Sequence, residues 1–194
     1  MKNPKKILII IQRSNGDVFL SSSLINTLYE HFNSPKIDLL VNDDTIHIAK
    51  LFSNINKIHK FSYKKKQNNQ LMQEINLVKS IYKKYDLSIN LTSSDRSVIY
   101  AMLASYVSIS AIESDNRKSW WKKRFLSYHY YYESSNHILL NNLEPLRLLK
   151  IKFEKLQQPI NISTSEYLNS DRKLKLNVIN KFIIFHPSAQ YNYK

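Results

Sequence analysis

Lys6-Ile-Leu-Ile-Ile-Ile11, followed directly by Gln12-Arg-Ser-Asn-Gly16 and then Asp17, is the stretch from which the fold can be read. Its apolar run is continuous rather than alternating, and it has the length of a strand. That pattern suits a central strand buried on both faces of a parallel sheet. From Asp17 the period changes. Val18, Leu20, Leu24, Ile25, Leu28 and Phe32 fall on one helical stripe, which Asn33-Ser-Pro35 ends. The unit then recurs. Residues 37–41 and 57–61 read as strands around a short helix over 44–52. Residues 70–85 read as a helix with Leu71, Ile75, Val78 and Tyr82 on its apolar face. A strand over 87–91, a helix over 96–104 and a strand over 106–112 follow. Strands alternating with helices predict an α/β fold: a Rossmann-like parallel sheet with flanking helices.

Residues 114–136 break the rhythm. They hold Arg117, Lys118, Lys122, Lys123 and Arg124 among Trp120, Trp121, Phe125, Tyr128 and Tyr130 to Tyr132. Residues 141–149 return to helical spacing, with Leu143, Leu146 and Leu149 on one face. A polar helix is expected over 166–178. Lys181-Phe-Ile-Ile-Phe185 is a last strand of buried type, followed by His186-Pro-Ser-Ala-Gln190. A buried strand with nine residues after it is how a new βα unit begins. The expected organisation is therefore one domain over 1–155, then a linker and the start of a truncated second domain over 156–194.

Composition narrows the function classes. The 194 residues suffice for one core-bearing domain, or one and a fragment. With no cysteine, disulfide scaffolds, cysteine-zinc sites, iron–sulfur clusters and thiol catalysis are excluded. No apolar run approaches the roughly 18 residues of a membrane span, and the start does not read as a signal peptide, so a cytoplasmic protein is expected. The formal net charge of +14 favours polyanionic partners: nucleic acid, anionic lipid or phosphorylated sugar. There is one glycine, Gly16. A chain that dispenses with glycine elsewhere is expected to need it there, with asparagine covering turns of positive φ.

The loop Ser14-Asn-Gly-Asp17 lies where open parallel sheets bind ligands, beyond the carboxyl end of a strand. Asp17 has two readings. It caps or complements a helix N-terminus, or it is a general base at the mouth of a cleft. The loop is neither G-x-G-x-x-G nor a Walker P-loop, for want of glycines and of G-K-[ST]. Lys64-Lys-Lys66, and the basic residues with their neighbouring tryptophans, are solvated surface or contacts to phosphate and anionic lipid. The six histidines show no metal spacing, and no metal site is expected.

Taken together these segments resemble glycosyltransferase family 9, the lipopolysaccharide heptosyltransferases. The first strand, Ser14-Asn-Gly-Asp-Val18, Ser21-Ser-Ser23 and the helix to Phe32 are similar to the family's opening. Lys36-Ile-Asp-Leu-Leu-Val41 resembles its second strand. Tyr85-Asp-Leu-Ser-Ile-Asn-Leu91 with Arg96-Ser97 resembles its YD-x-x-I-D-L…RS segment. Phe185-His-Pro-Ser-Ala189 with Lys194 resembles its HPGA…K segment. Ser188 stands where the family has glycine, and Asn90 where it has aspartate.

The resemblance implies the N-terminal, acceptor-binding half of a GT-B fold plus the first strand of the nucleotide-sugar domain. It implies an inverting, metal-independent transfer of heptose, or a related sugar, from an ADP-activated donor to the lipopolysaccharide inner core. Asp17 would be the catalytic residue. Ser14, Asn15, Gly16, Ser21, Ser22, Lys64, Arg117, Lys118, Ser188 and Lys194 would meet substrate, the last two at the donor phosphates. No cofactor is implied beyond the ADP-heptose donor. The expected partners are a phosphorylated, lipid-anchored lipopolysaccharide core and the cytoplasmic face of the inner membrane, with no nucleic acid. With nearly all of the donor domain missing after Lys194, the chain is expected to be inactive alone. The rival reading is a non-catalytic binding protein or truncated remnant that grips acidic saccharide or membrane.

Overall fold

The computed structural model describes residues 3–63, 70–114 and 116–153, and within them not the side chains of Gln70, Asn116, Arg117 and Lys118. Among the described residues one sheet holds β1 (Lys6–Ile11), β2 (Lys36–Asn42), β3 (Lys57–Phe61), β4 (Tyr85–Asn90), β5 (Ser105–Ile112) and β6 (Tyr128–Tyr131). Their order is β3-β2-β1-β4-β5-β6 and every pairing is parallel. Among the described residues six α-helices lie between the strands, α1 (Asn15–Phe19), α2 (Ser22–His31), α3 (Ile46–Ala49), α4 (Gln70–Ile81), α5 (Asp95–Ala104) and α6 (Asn116–Phe125), and α7 (Ile138–Leu148) follows β6.

The uniform apolarity of β1 has a direct cause. Ile7, Ile9 and Ile11 face one layer, packing with Leu24, Ile25 and Leu28 of α2 and Leu143 and Leu146 of α7. Leu8 and Ile10 face the other, with Leu77 and Ile81 of α4 and Tyr100, Ala101 and Ala104 of α5. Each fully buried Ile or Leu contributes roughly 1.5–3 kcal/mol, so neither face of β1 tolerates a polar residue.

Three expectations need correction. The helix predicted from Asp17 to Phe32 is two helices. Both the amide and the hydroxyl of Ser21 donate to the Val18 carbonyl (3.1 and 2.6 Å), which tightens the chain before α2 begins. Of the predicted face of α4 only Val78 packs on the core. Leu71 and Ile75 are exposed (74% and 47%), while Leu77 and Ile81 enter the core. The sequence carries two apolar stripes on this helix, and the one that turns inward is the one whose rotation lets Gln73 bond both backbone groups of Ser62. The same helix stops at Ile81, because Lys83 takes a left-handed φ of 48° and Tyr85 already belongs to β4. Finally, residues 114–136 hold a further helix–strand unit, α6 and β6, rather than a break. Its periodicity is hidden because Lys122 is fully buried at a position where an apolar residue is expected. The polar helix over 166–178, the strand over 181–185 and the segment 156–194 lie outside the described residues.

Candidate active site at the sheet's switch point

β1 is followed by a connection to β2 on one side of it, and its other neighbour β4 by a connection to β5 on the opposite side. The loops after β1 and β4 thus flank the crevice at which ligands bind in open α/β sheets. The two loops are tied together, since the Gln12 amide donates to Thr92 Oγ1 (3.0 Å).

Asp17 lies on α1 at this crevice. Its Oδ2 accepts from Arg13 Nε at 2.9 Å, and the two side chains are 21% and 25% exposed. Arg13 is held from a second direction. Its Nη2 donates to Tyr132 Oη (2.9 Å), and the guanidinium lies 4.6 Å from the centre of that ring. Burial opposes the Arg13 charge, but the bonds to Asp17 and Tyr132 outweigh it and its pKa is raised. Residues on α1, the β1 loop and the chain after β6 therefore fix one carboxylate oxygen. Oδ1 accepts no hydrogen bond from the described residues, so it remains available to a hydroxyl.

Ser14 is the N-cap of α1, its Oγ facing the Asp17 amide at 3.5 Å. Asn15 and Gly16 are exposed in the first turn. Gly16 corrects an expectation. Its φ is not positive, and a Cβ built on it meets nothing within 4 Å. The left-handed positions are taken by Asn33, Ser34, Lys83 and Lys150 instead. Nothing within the described fold requires this glycine. Ser21 and Ser22 lie at the α1–α2 junction and are both buried (0% and 1%), with the Ser21 hydroxyl bonded to the Val18 carbonyl. The attraction expected from a helix N-terminus is also reduced, because α1 has only five residues. The positive charge beside the carboxylate comes from Arg13.

The β4–α5 loop is built on Asn90, which is fully buried. Its Nδ2 donates to the Thr92 carbonyl (2.5 Å), Ser97 Oγ (3.2 Å) and Ser110 Oγ (2.8 Å), and its Oδ1 accepts from the Thr92 amide (3.1 Å). A carboxylate has no proton to offer those oxygens, which is why an amide suits this strand. Ser94 caps α5. Lys122, counted above with the surface cations, is a structural tie. Its Nζ donates to Glu113 Oε2 (2.6 Å), Asp95 Oδ1 (2.7 Å) and the Ser93 carbonyl (2.9 Å). Of the aromatic residues beside it, Trp120 and Phe125 are each 67% exposed, while Trp121 packs on Val98, Ile112 and Leu126.

Two residues of the crevice escaped the sequence reading. Arg13 was legible only as an Arg/Asp pair four residues apart. Gln12 is 7% exposed, and its side-chain oxygen and nitrogen have no partner among the described residues. A buried amide without partners at a switch point is a group to which a ligand can bond. Lys64, Ser188 and Lys194 lie outside the described residues, as do the side chains of Arg117 and Lys118. Among the described residues no group of His, Cys, Asp and Glu could hold a metal ion.

With this geometry in place, comparison with known proteins gives a consistent answer. No family model matches. Lipopolysaccharide heptosyltransferase 3 of Escherichia coli K12 is 27% identical over 186 residues, covering 94% of this chain and 54% of the relative. A glycosyltransferase family 9 structure from Veillonella parvula superposes with a TM-score of 0.73 at 15% identity, covering 89% of this chain and 50% of that one. The Escherichia coli ADP-heptose lipopolysaccharide heptosyltransferase II gives 0.66 at 16% identity over 89% of this chain and 51% of that one. The chain resembles the family 9 heptosyltransferases. It spans about half the length of the curated relatives it matches. In this heptosyltransferase-like chain, the fold shared with those structures is the Rossmann-like sheet, and the Arg13–Asp17 pair stands at its switch point.

Proposed function

We propose that this chain is the acceptor-binding half of a GT-B glycosyltransferase, transferring heptose or a related sugar from an ADP-activated donor to the lipopolysaccharide inner core. The observation that carries the reading is the carboxylate of Asp17, with Oδ2 anchored on Arg13 and Oδ1 accepting no hydrogen bond from the described residues. In the proposed step Asp17 Oδ1 takes the proton of an acceptor hydroxyl. That oxygen bonds to the anomeric carbon as the bond to the diphosphate breaks on the opposite face, inverting the centre. The leaving charge would be met by lysine and hydroxyl groups, for which Lys194 and Ser188 are the candidates. Gln12 and the exposed amides of Asn15 and Gly16 would contact the acceptor sugar.

The exposed Trp120 and Phe125, with the exposed Arg124 between them on α6, support peripheral contact with the cytoplasmic face of the inner membrane. No helix among the described residues is long and apolar enough to cross a membrane. The test is titration of the chain with phosphorylated core oligosaccharide and, separately, with single-stranded DNA over a range of salt. Saturable oligosaccharide binding that weakens when Gln12 becomes Ala supports the reading. Binding to DNA alone, falling steeply with salt, overturns it.

A further inference from the structure

The opposite edge of the sheet carries a second array. Four neighbouring strands are each entered through a lysine: Lys6, Lys36 and Lys57 begin β1, β2 and β3, and Lys84 directly precedes β4. Lys6 and Lys36 are register partners, and Lys57 pairs with Asp38 two residues into β2. All four lysines rim one cavity of about 230 Å³. Lys84 Nζ donates to the Lys79 carbonyl, while the other three side chains have no ion-pair partner among the described residues. The adjacent Asp86, whose carboxylate accepts from the amides of Lys5 and Lys6, offsets one of these charges.

The floor of the cavity is a closed polar network. Asp38, His59 and Tyr85 are 8%, 5% and 8% exposed. Tyr85 Oη donates to Asp38 Oδ2 (2.7 Å), and Asn56 Nδ2 donates to Asp38 Oδ1 (2.7 Å). Ser80 Oγ donates to the Leu77 carbonyl (2.7 Å). The protons of Tyr85 and Ser80 are thereby committed. His59 lies with Nε2 2.9 Å from Tyr85 Oη and Nδ1 3.1 Å from Ser80 Oγ. The donors Tyr85 and Asn56 meet Asp38 within the floor, and the His59 ring stands 3.7 Å from its Oδ2. The four lysines of the rim outnumber the two carboxylates near them, Asp38 and Asp86, and leave an excess of positive charge above the floor.

We propose that this cavity is a second anion site, remote from the switch-point crevice, and that it takes a phosphate group. Its volume is below the roughly 300 Å³ at which pockets for drug-sized ligands begin, which suits a single phosphate and not a nucleotide. An adjoining cavity shares Lys6 and Lys36 and is lined by Pro4, Phe32 and Pro35. A phosphate here comes either free or as a lipid headgroup. This site does not depend on the glycosyltransferase reading.

The test is a titration of the full chain, followed by NMR of the His59 ring, with inorganic phosphate in one arm. The other arm uses phosphatidylglycerol-containing vesicles against phosphatidylcholine alone. The double variant Lys36→Ala, Lys57→Ala removes two exposed rim charges, and Lys60→Ala is the control. Saturable phosphate binding, weakened about tenfold or more by the double variant and unchanged by the control, is expected. Vesicle binding with the same dependence assigns the phosphate to a headgroup; phosphate binding without it assigns a free ion. No saturation in either arm, or equal loss in the control, overturns the proposal.

Discussion

Replacing Gly16 with Ala separates what the fold needs from what a ligand needs. The residue occupies the first turn of α1 with φ outside the left-handed region, is exposed, and leaves open space where a Cβ would stand. Alanine therefore adds no strain and removes backbone freedom from the unfolded chain. A mid-helix Gly→Ala change gains roughly 0.5–1 kcal/mol, and a first-turn position belongs at the lower end, about 0.5 kcal/mol. For a domain of this size that raises Tm by about 1–2 °C. The assay is thermal unfolding by circular dichroism, run beside titration with core oligosaccharide. The expected result is a slightly higher Tm together with weaker oligosaccharide binding, because the added methyl group stands beside the amides proposed to meet the acceptor. A fall in Tm would refute the reasoning, since it would mean the fold itself requires the glycine. Unchanged oligosaccharide binding would remove Gly16 from the proposed site.

Other perturbations test the packing and the electrostatics. Leu77→Ala is expected to cost about 2–5 kcal/mol by urea unfolding and Leu71→Ala less than about 0.5, reversing what the sequence pattern of α4 predicts. Lys122→Met breaks the tie among α5, β5 and α6. Since Asp95 and Glu113 are 70% and 38% exposed and recover hydration, the expected cost is about 2 kcal/mol rather than the larger penalty of a stranded buried charge. Asp38 gives a pH dependence. Burial alone would raise its pKa, but the nearby His59 ring and the bonds from Asn56 and Tyr85 outweigh it and hold the carboxyl below its ordinary value of 3.8. Its contribution is present above that value and lost as pH falls through the lower folded one. The difference in urea midpoint between the native chain and Asp38→Asn should be flat at neutral pH and shrink below about pH 4.

The strands were legible because burial on both faces leaves one simple mark, the unbroken apolar run of β1 and its echo in β2. What was not legible depends on partners distant in sequence. Leu71 and Leu77 are equally apolar, and the stripe that turns inward is the one whose rotation lets Gln73 bond both backbone groups of Ser62. Lys122 reads as surface charge until Asp95 and Glu113 close around it. At the crevice, Asp17 was found from its place after a strand, but its orientation comes from Arg13 and, through that residue, from Tyr132, 119 positions away from Arg13. The burial of Ser21 and Ser22 was not legible, because a hydroxyl that tightens a helix junction, as that of Ser21 does, looks the same in sequence as one that faces a ligand. The lysines at the strand entrances are scattered through the chain and meet only when the register is known.

The most direct test of the central claim is sugar transfer by Asp17→Asn, with the chain joined to a donor-binding half from a family 9 enzyme. Asparagine keeps an acceptor for Arg13 Nε and removes the basic carboxylate. Transfer from ADP-heptose is predicted to fall by about 10²–10⁴-fold while acceptor binding is retained. Transfer at the native rate would contradict the assignment of Asp17 as the general base.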